Sequence, residues 1–127
     1  MLNYLIKITA AILLLGCFQH AYGQKATEIF IPVGKSPGLS GKYTTIGSVD
    51  SVNTHNRTIV MHDSAAIYNV KITDSTKVWL DQSRLKASNK TGSFADIKKG
   101  LLVEVKYKGE KHDGAVAWIK VQMPVHK

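Results

Sequence analysis

Short runs of alternating apolar and polar residues dominate the chain from Tyr43 onward, and this period of two predicts β-strands. The clearest run spans residues 101–108. One face of this predicted strand carries Leu101, Val103, Val105 and Tyr107, and the other carries Glu104, Lys106 and Lys108. The pattern is that of a strand with one face in a core and the other facing outward.

Four further segments have the same strand-like pattern. They are residues 46–52, 58–61, 67–73 and 115–122, with residues 78–80 extending the third strand beyond a kink at Asp74-Ser75. In the last strand, alternation predicts one inward and one outward set. The inward set is Ala117, Ile119 and Val121, and the outward set is Val116, Trp118 and Lys120.

Between the third and fourth of these main strands, the pattern predicts a loop and a single helical turn. Residues 81–92 are polar and predict a mobile loop. In the segment 93–97, Ser93 can cap a turn, with Asp96 three residues later, and Phe94 and Ile97 share one face. These two apolar side chains are expected to plug an open barrel end.

The order of three strands, a helical turn and two strands predicts an all-β fold. It is the order of a small five- to six-stranded OB-like Greek-key barrel, with one short helical turn between strands three and four. Residues 43–123 form this predicted domain, and residues 124–127 are a basic tail. Residues 24–42 form an entry segment, in which residues 27–31 are expected to make one short strand on the barrel or on a partner.

The first 23 residues have the pattern of a secretory signal. Lys7 precedes an apolar run, Ile8–Leu15, that is shorter than a membrane span. Two processing routes remain open. Ala21-Tyr22-Gly23 fits cleavage after Gly23, which yields a periplasmic or secreted protein, whereas Leu14–Cys17 resembles a lipobox, which yields a lipoprotein anchored through Cys17. No later segment is apolar enough to span a membrane.

Positive charge points to anionic partners. Removing residues 1–23 removes one lysine and no acidic residue, so the formal net charge falls only from +8 to +7. Such a charge attracts polyanions such as lipopolysaccharide and acidic polysaccharide. Export argues against an intracellular nucleic-acid target. A solvated basic surface without a specific ligand is the alternative, because the lysines form no dense block.

Several residues carry a resemblance to a known class of domains. They are Gly47-Ser48-Val49, the run Val70–Val78, the turn Phe94–Gly100, Val103-Glu104-Val105 and Ala117–Ile119. With them, the stretch 46–121 resembles the small, little-characterised OB-like barrel domains of exported bacterial proteins. The resemblance implies a fold and leaves the chemistry open.

A second resemblance concerns copper. The turn His62–Ala66 is similar to the His-Asp turn of periplasmic copper chaperones, which are small OB barrels and which bind Cu(I) with that histidine, two methionines and a tryptophan. Here residues 67–72 contain neither methionine nor tryptophan, so only His62 carries over. Independently, His55 and His112 lie in loops that an OB barrel is expected to bring to one rim, where they could hold a metal.

Candidate ligand-binding residues combine aromatic and basic side chains on the predicted outer face and rim. They are Trp118, Lys106, Lys108, Lys111, Lys120 and Arg57. In the alternative, Trp118 is covered by residues 29–31.

The sequence has no recognisable nucleophile with a general base, and its aspartates fall in turns, so it predicts a protein that is not an enzyme. The predicted function is therefore an exported binding or interaction module of the bacterial envelope that engages an anionic ligand or a protein partner. The alternative is a periplasmic copper-binding protein. No other cofactor is expected.

Overall fold

The computed structural model describes residues 27–109 and 111–125, and this part of the chain is all-β. Its seven strands are β1 (Thr44–Asn53), β2 (Thr58–His62), β3 (Ile67–Lys71), β4 (Lys77–Asp81), β5 (Lys90–Thr91), β6 (Leu102–Tyr107) and β7 (Val116–Gln122). Three short 3-10 helices accompany them: Glu28–Phe30, Ser83–Leu85 and Phe94–Asp96. None of these described helices has the length and apolarity to span a membrane. The predicted signal segment with Cys17 and the end of the basic tail lie outside the described residues.

All seven strands belong to one mixed sheet in the order β3-β2-β1-β6-β7-β4-β5. Neighbours are antiparallel except β4 and β7, which are parallel. The hydrogen-bonded sheet is not closed. Strands β3 and β4 lie far apart in the strand order, but in the chain they are joined by residues 72–76 alone. The candidate site lies in the gap between β3 and β4 that this connection spans.

Strand β1 is the longest strand and pairs with β6 through its first half and with β2 through its second. A register shift between Val49 and Ser51 lets the strand bend from one partner to the other. Gly47 is required nearby because an added Cβ would lie 2.2 Å from the His62 carbonyl oxygen. The register shift lies just beyond Gly47.

The inner face of the sheet forms one hydrophobic core. Its most buried members are Ile59, Met61, Ile72, Val103, Val105, Val116, Ile119 and Val121. The alternation predicted for residues 101–107 is confirmed, since Val103, Val105 and Tyr107 are buried in this core. Val116 was predicted to face outward, which is wrong. A register shift between Lys106 and Tyr107 in the β6–β7 pairing aligns Val116 with Tyr107 and turns it into the core.

Three connecting segments test the remaining local predictions. Residues 28–30 form a 3-10 helix instead of the predicted strand, which places the Glu28 carboxylate against β7. Residues 81–92 are more ordered than the predicted loop, because they contain a 3-10 helix, strand β5 and the buried Asn89. The predicted cap at Ser93 is confirmed, since the Asp96 carboxylate accepts a hydrogen bond from the Ser93 backbone N–H at 2.8 Å.

Candidate functional site

A groove of about 460 Å³ opens at the gap between β3 and β4. The turn 73–76 and the first half of β4 form one wall, and β5 with the helix Phe94–Asp96 forms the other. Its lining combines hydroxyl, charged and aromatic side chains. The lining residues are Arg57, Thr73, Asp74, Ser75, Thr76, Lys77, Val78, Trp79, Thr91, Gly92, Ser93 and Phe94. This volume lies in the range of small-ligand sites.

Arg57 is the most constrained cation of the groove. Its backbone has φ = +55°, a left-handed conformation that side-chain-bearing residues seldom adopt. The Arg57 carbonyl accepts a hydrogen bond from the Ile72 N–H at 2.9 Å, which extends the β2–β3 ladder by one pair. Its guanidinium carbon lies 5.6 Å from the centroid of the Phe94 ring, within cation–π range. Backbone strain of this kind is often found at functional positions.

Asp74 is the anionic partner of Arg57. Its Oδ1 lies 2.5 Å from Arg57 Nη1. The Asp74 side chain is 97% exposed and that of Arg57 is 39% exposed, so water screens the pair and the attraction is weak. A guanidinium has five N–H donors, of which this contact uses one. Asp74 therefore holds Arg57 through a single contact, which is weaker than a carboxylate contact with two nitrogens.

The turn that presents Asp74 is held by threonine hydroxyl groups. Thr76 Oγ1 is buried, accepts a hydrogen bond from the Thr73 N–H at 3.1 Å and donates one to the Val116 carbonyl at 3.0 Å. Lys108 reaches the same turn from the end of β6, and its Nζ donates to Ser75 Oγ at 3.2 Å. Two predicted ligand-binding residues that are distant in sequence, Arg57 and Lys108, thus meet at this turn.

The predicted residues Trp118 and Lys120 lie elsewhere and are buried on the outer face of the sheet. Lys120 is 1% exposed and its Nζ lies 2.7 Å from Glu28 Oε1. The same ammonium stands 4.7 Å from the centroid of the Trp118 ring, which stacks on Trp79 at 5.4 Å. Both residues are therefore structural in this conformation. Their link to the groove is through Trp79, which lines it.

Residues 27–43, called the clasp segment from here on, cover this outer face. The buried Glu104 carboxylate accepts hydrogen bonds from the Gly34 N–H at 2.9 Å and from the Ser40 hydroxyl at 2.6 Å. The buried Asp81 carboxylate accepts one from the Val33 N–H at 2.9 Å. Glu104 and Lys120 are direct cross-strand partners. Glu104 and Lys120, which alternation placed on the outward face, are thus buried beneath the chain's own preceding segment.

The other predicted basic residues do not join the groove. Lys106 is partly buried, and its Nζ donates to the Tyr107 carbonyl at 2.5 Å. Lys111 is exposed in the loop between β6 and β7. The six predicted ligand-binding residues therefore do not form one surface, since two are buried and only Arg57 and Lys108 converge.

His62 lies by a second and more open cavity of about 390 Å³. Its Nδ1 lies 2.6 Å from Asp50 Oδ1. Asp63 follows His62, and its pKa is lowered from the ordinary value of 3.8. The main cause is the hydrogen bond that the Ala65 backbone N–H donates to the Asp63 carboxylate. Burial raises the pKa of Tyr68, whose hydroxyl donates to Asp63 at 3.1 Å. Asp63 therefore acts here as an acceptor that closes the β2–β3 turn.

The structure does not bring His55 and His112 together. The His55 N–H donates to the side chain of Asn53, the last residue of β1. His112 Nδ1 lies 2.7 Å from the Oγ1 atom of Thr45, the second residue of β1. Because β6 runs antiparallel to β1, the β6–β7 loop meets the start of β1 and the β1–β2 turn lies at its end. Within residues 27–109 and 111–125, no cluster of three or more His, Cys, Asp or Glu side chains is arranged to hold a metal ion.

The groove could be predicted only in part from the sequence. Arg57 was a candidate, and Phe94 was expected to be a core plug. Asp74 was part of the predicted kink, Thr76 and Lys77 follow it, and none of the three was a candidate site residue. Their signal is the run Thr73–Lys77, which concentrates hydroxyl and charged side chains between two apolar strands.

Comparison of the chain with protein-family models, with curated proteins and with solved structures gives no match.

Proposed function

We propose that this chain is an exported, non-enzymatic binding module of the bacterial envelope, and that it engages an anionic ligand in the groove beside Arg57. The observation that carries the proposal is the position of the Arg57 guanidinium, which lies at the groove rim between the Phe94 ring and the Asp74 carboxylate. A fixed guanidinium binds carboxylate and phosphate groups with directional hydrogen bonds.

Further positive charge supports the same proposal. The exposed Lys77 lines the groove, and Lys108 reaches its turn. Hydroxyl groups of Thr73, Ser75 and Ser93 add neutral hydrogen-bonding capacity beside these cations. A ligand with both anionic and hydroxyl groups fits this lining better than a purely apolar one.

We also propose that the sheet is an OB-like Greek-key barrel, in which β3 and β4 are two halves of one interrupted strand. Pairing of β1 with both β2 and β6 supports this reading, as does the parallel pairing of β4 with β7. In such a barrel, residues 72–76 connect β3 to β4 at the position where the hydrogen bonding between neighbouring strands is interrupted. The groove then lies at the seam of the barrel.

The envelope location is part of the proposal and rests on residues 1–23. Mass spectrometry of the mature N-terminus would distinguish a protein that begins at Gln24 from a lipoprotein that begins at an acylated Cys17. Either product presents the same groove. The partner is an anionic envelope component or an envelope protein with an acidic surface.

The decisive experiment is a binding titration of the purified mature protein with lipopolysaccharide and with heparin at low salt. The variant Arg57→Ala is expected to weaken binding about five- to tenfold, because one charge-assisted contact is lost. The matched control is Arg84→Ala, since Arg84 is exposed, donates to Gln122 at 3.3 Å and does not line the groove among the described residues. Absence of binding by the wild-type protein, or an equal loss in the two variants, would contradict the proposal.

A further inference from the structure

We infer that the Asp74 carboxylate occupies the place on Arg57 that an anionic group of the ligand takes, and that the ligand is a carboxylated glycan. The inference rests on the proposed function and names its ligand class. In it, Asp74 is an internal competitor that must leave Arg57 before the ligand carboxylate binds.

The geometry of Arg57 supports an exchange of one carboxylate for another. Besides Asp74, the Arg57 guanidinium contacts the Phe94 ring, so Asp74 is not its only partner. The contact with Asp74 joins a single nitrogen, Nη1, to a single oxygen, Oδ1. A ligand carboxylate that engages two nitrogens in parallel gains a second hydrogen bond over this arrangement.

Asp74 can leave without disturbing the turn that carries it. The turn 73–76 is closed by the Thr73 and Thr76 backbone and by the Thr76 hydroxyl, not by the Asp74 side chain. The Asp74 side chain is 97% exposed, so water replaces Arg57 as its partner at once. Departure of Asp74 therefore costs only the screened attraction of one surface pair.

The rest of the lining favours a glycan over other carboxylates. Hydroxyl groups of Thr73, Ser75, Thr91 and Ser93 line the groove and match the donors and acceptors of a sugar. One face of Trp79 stacks on Trp118, and the partly exposed ring adds a single aromatic surface suited to the C–H face of one sugar ring.

A nucleic acid fits this lining less well. Single-strand binding needs several open aromatic faces and a continuous cationic groove. Here Arg57 lies over one face of Phe94, Trp79 stacks on Trp118, and the Asp74 carboxylate stands at the rim.

The test uses oligogalacturonate as the probe, with a neutral oligosaccharide of equal length as the comparison, in calorimetric titrations of the mature protein at low salt. The variant Asp74→Asn is expected to bind oligogalacturonate about two- to fivefold more tightly than the wild-type protein. The matched control is Asp50→Asn, which removes one carboxylate charge from the hydrogen-bonded contact with His62, outside the groove. The double variant Arg57→Ala/Asp74→Asn is expected to bind no more tightly than Arg57→Ala.

The outcomes separate this inference from the proposed function. If wild-type protein binds no anionic ligand of any class, the proposed function fails. If it binds oligogalacturonate but Asp74→Asn gains no more affinity than Asp50→Asn, the competitor role is overturned and the proposed function stands. If Asp74→Asn gains affinity for heparin sulfates but not for oligogalacturonate, the assignment of a carboxylated ligand is overturned.

Discussion

Lys120 and Glu28 form an ion pair of 2.7 Å across the interface between the sheet and the clasp segment, although 92 positions separate them in the sequence. The Lys120 ammonium also donates to Ser36 Oγ at 3.3 Å, and Ser36 in turn donates to Glu28. One buried cation thus fixes two points of the clasp segment on β7. This pairing gives a buried charge the partners that it needs in a protein interior.

The variant Lys120→Met is expected to lower the free energy of unfolding by about 3 kcal/mol, because it leaves the Glu28 carboxylate partly buried without its counter-charge. Urea denaturation followed by tryptophan fluorescence measures this change. Lys35→Met is the control, since Lys35 is exposed on the same segment and its replacement is expected to cost less than about 0.5 kcal/mol. The double variant Glu28→Gln/Lys120→Met should recover part of the loss, and a purely additive result would contradict the coupling.

Glu104 governs the other half of the clasp segment. The Glu104 carboxylate accepts hydrogen bonds from the Gly34 N–H and from the Ser40 and Thr44 hydroxyls. The variant Glu104→Gln replaces one of these acceptor oxygens by an amide group that can only donate. A loss of about 2 kcal/mol is expected, together with faster tryptic cleavage after Lys35. Asp113→Asn, in the exposed β6–β7 loop, serves as the control. Unchanged cleavage in Glu104→Gln would show that Glu104 does not hold the clasp segment.

The variant Gly47→Ala tests the close approach of β1 to β2. The added methyl group would lie 2.2 Å from the His62 carbonyl oxygen and 2.8 Å from its carbon, both backbone atoms that cannot move alone. Destabilisation of about 3 kcal/mol or more is expected. The control Gly109→Ala has no atom within 4 Å of the added group and should be nearly neutral. Equal stability of the two variants would be inconsistent with this packing.

The turn after β2 predicts a pH dependence. Because its pKa is lowered in the folded protein, the Asp63 carboxyl contributes stability above its unfolded pKa, near 3.8, and this contribution is lost as the pH falls through the lower folded value. Asp63→Asn should therefore lower the melting temperature at pH 7 and have a smaller effect as the pH approaches 2. Thermal melts from pH 2 to 7 measure this trend. A difference from the wild-type protein that does not vary with pH would contradict it.

Alternation along the strands allowed much of the sheet to be predicted from the sequence. The inward positions of Val103, Val105 and Tyr107 follow directly from a period of two. The same period put Glu104 and Lys120 on the opposite face, but it carries no information on what covers that face. Their burial depends on the clasp segment, a contact between residues far apart in sequence.

The groove was harder to predict for a related reason. Arg57 and Asp74 lie 17 positions apart and meet only because the β2–β3 ladder aligns Arg57 with Ile72. Trp118 seemed a suitable exposed aromatic, yet the sequence alone does not show that it stacks on Trp79 under the Lys120 ammonium. Local patterns specify strands and turns, whereas the candidate site lies where β3 and β4, which are far apart in the strand order, are joined in the chain.

The position of β7 in the strand order has a consequence for synthesis. This strand is the last in the described chain, yet it lies between β6 and β4 in the interior of the sheet. A nascent chain that lacks residues 116–122 leaves β4 and β6 each without the neighbour that joins them. Strands β4 and β5 therefore join the rest of the sheet only after residues 116–122 have been synthesised.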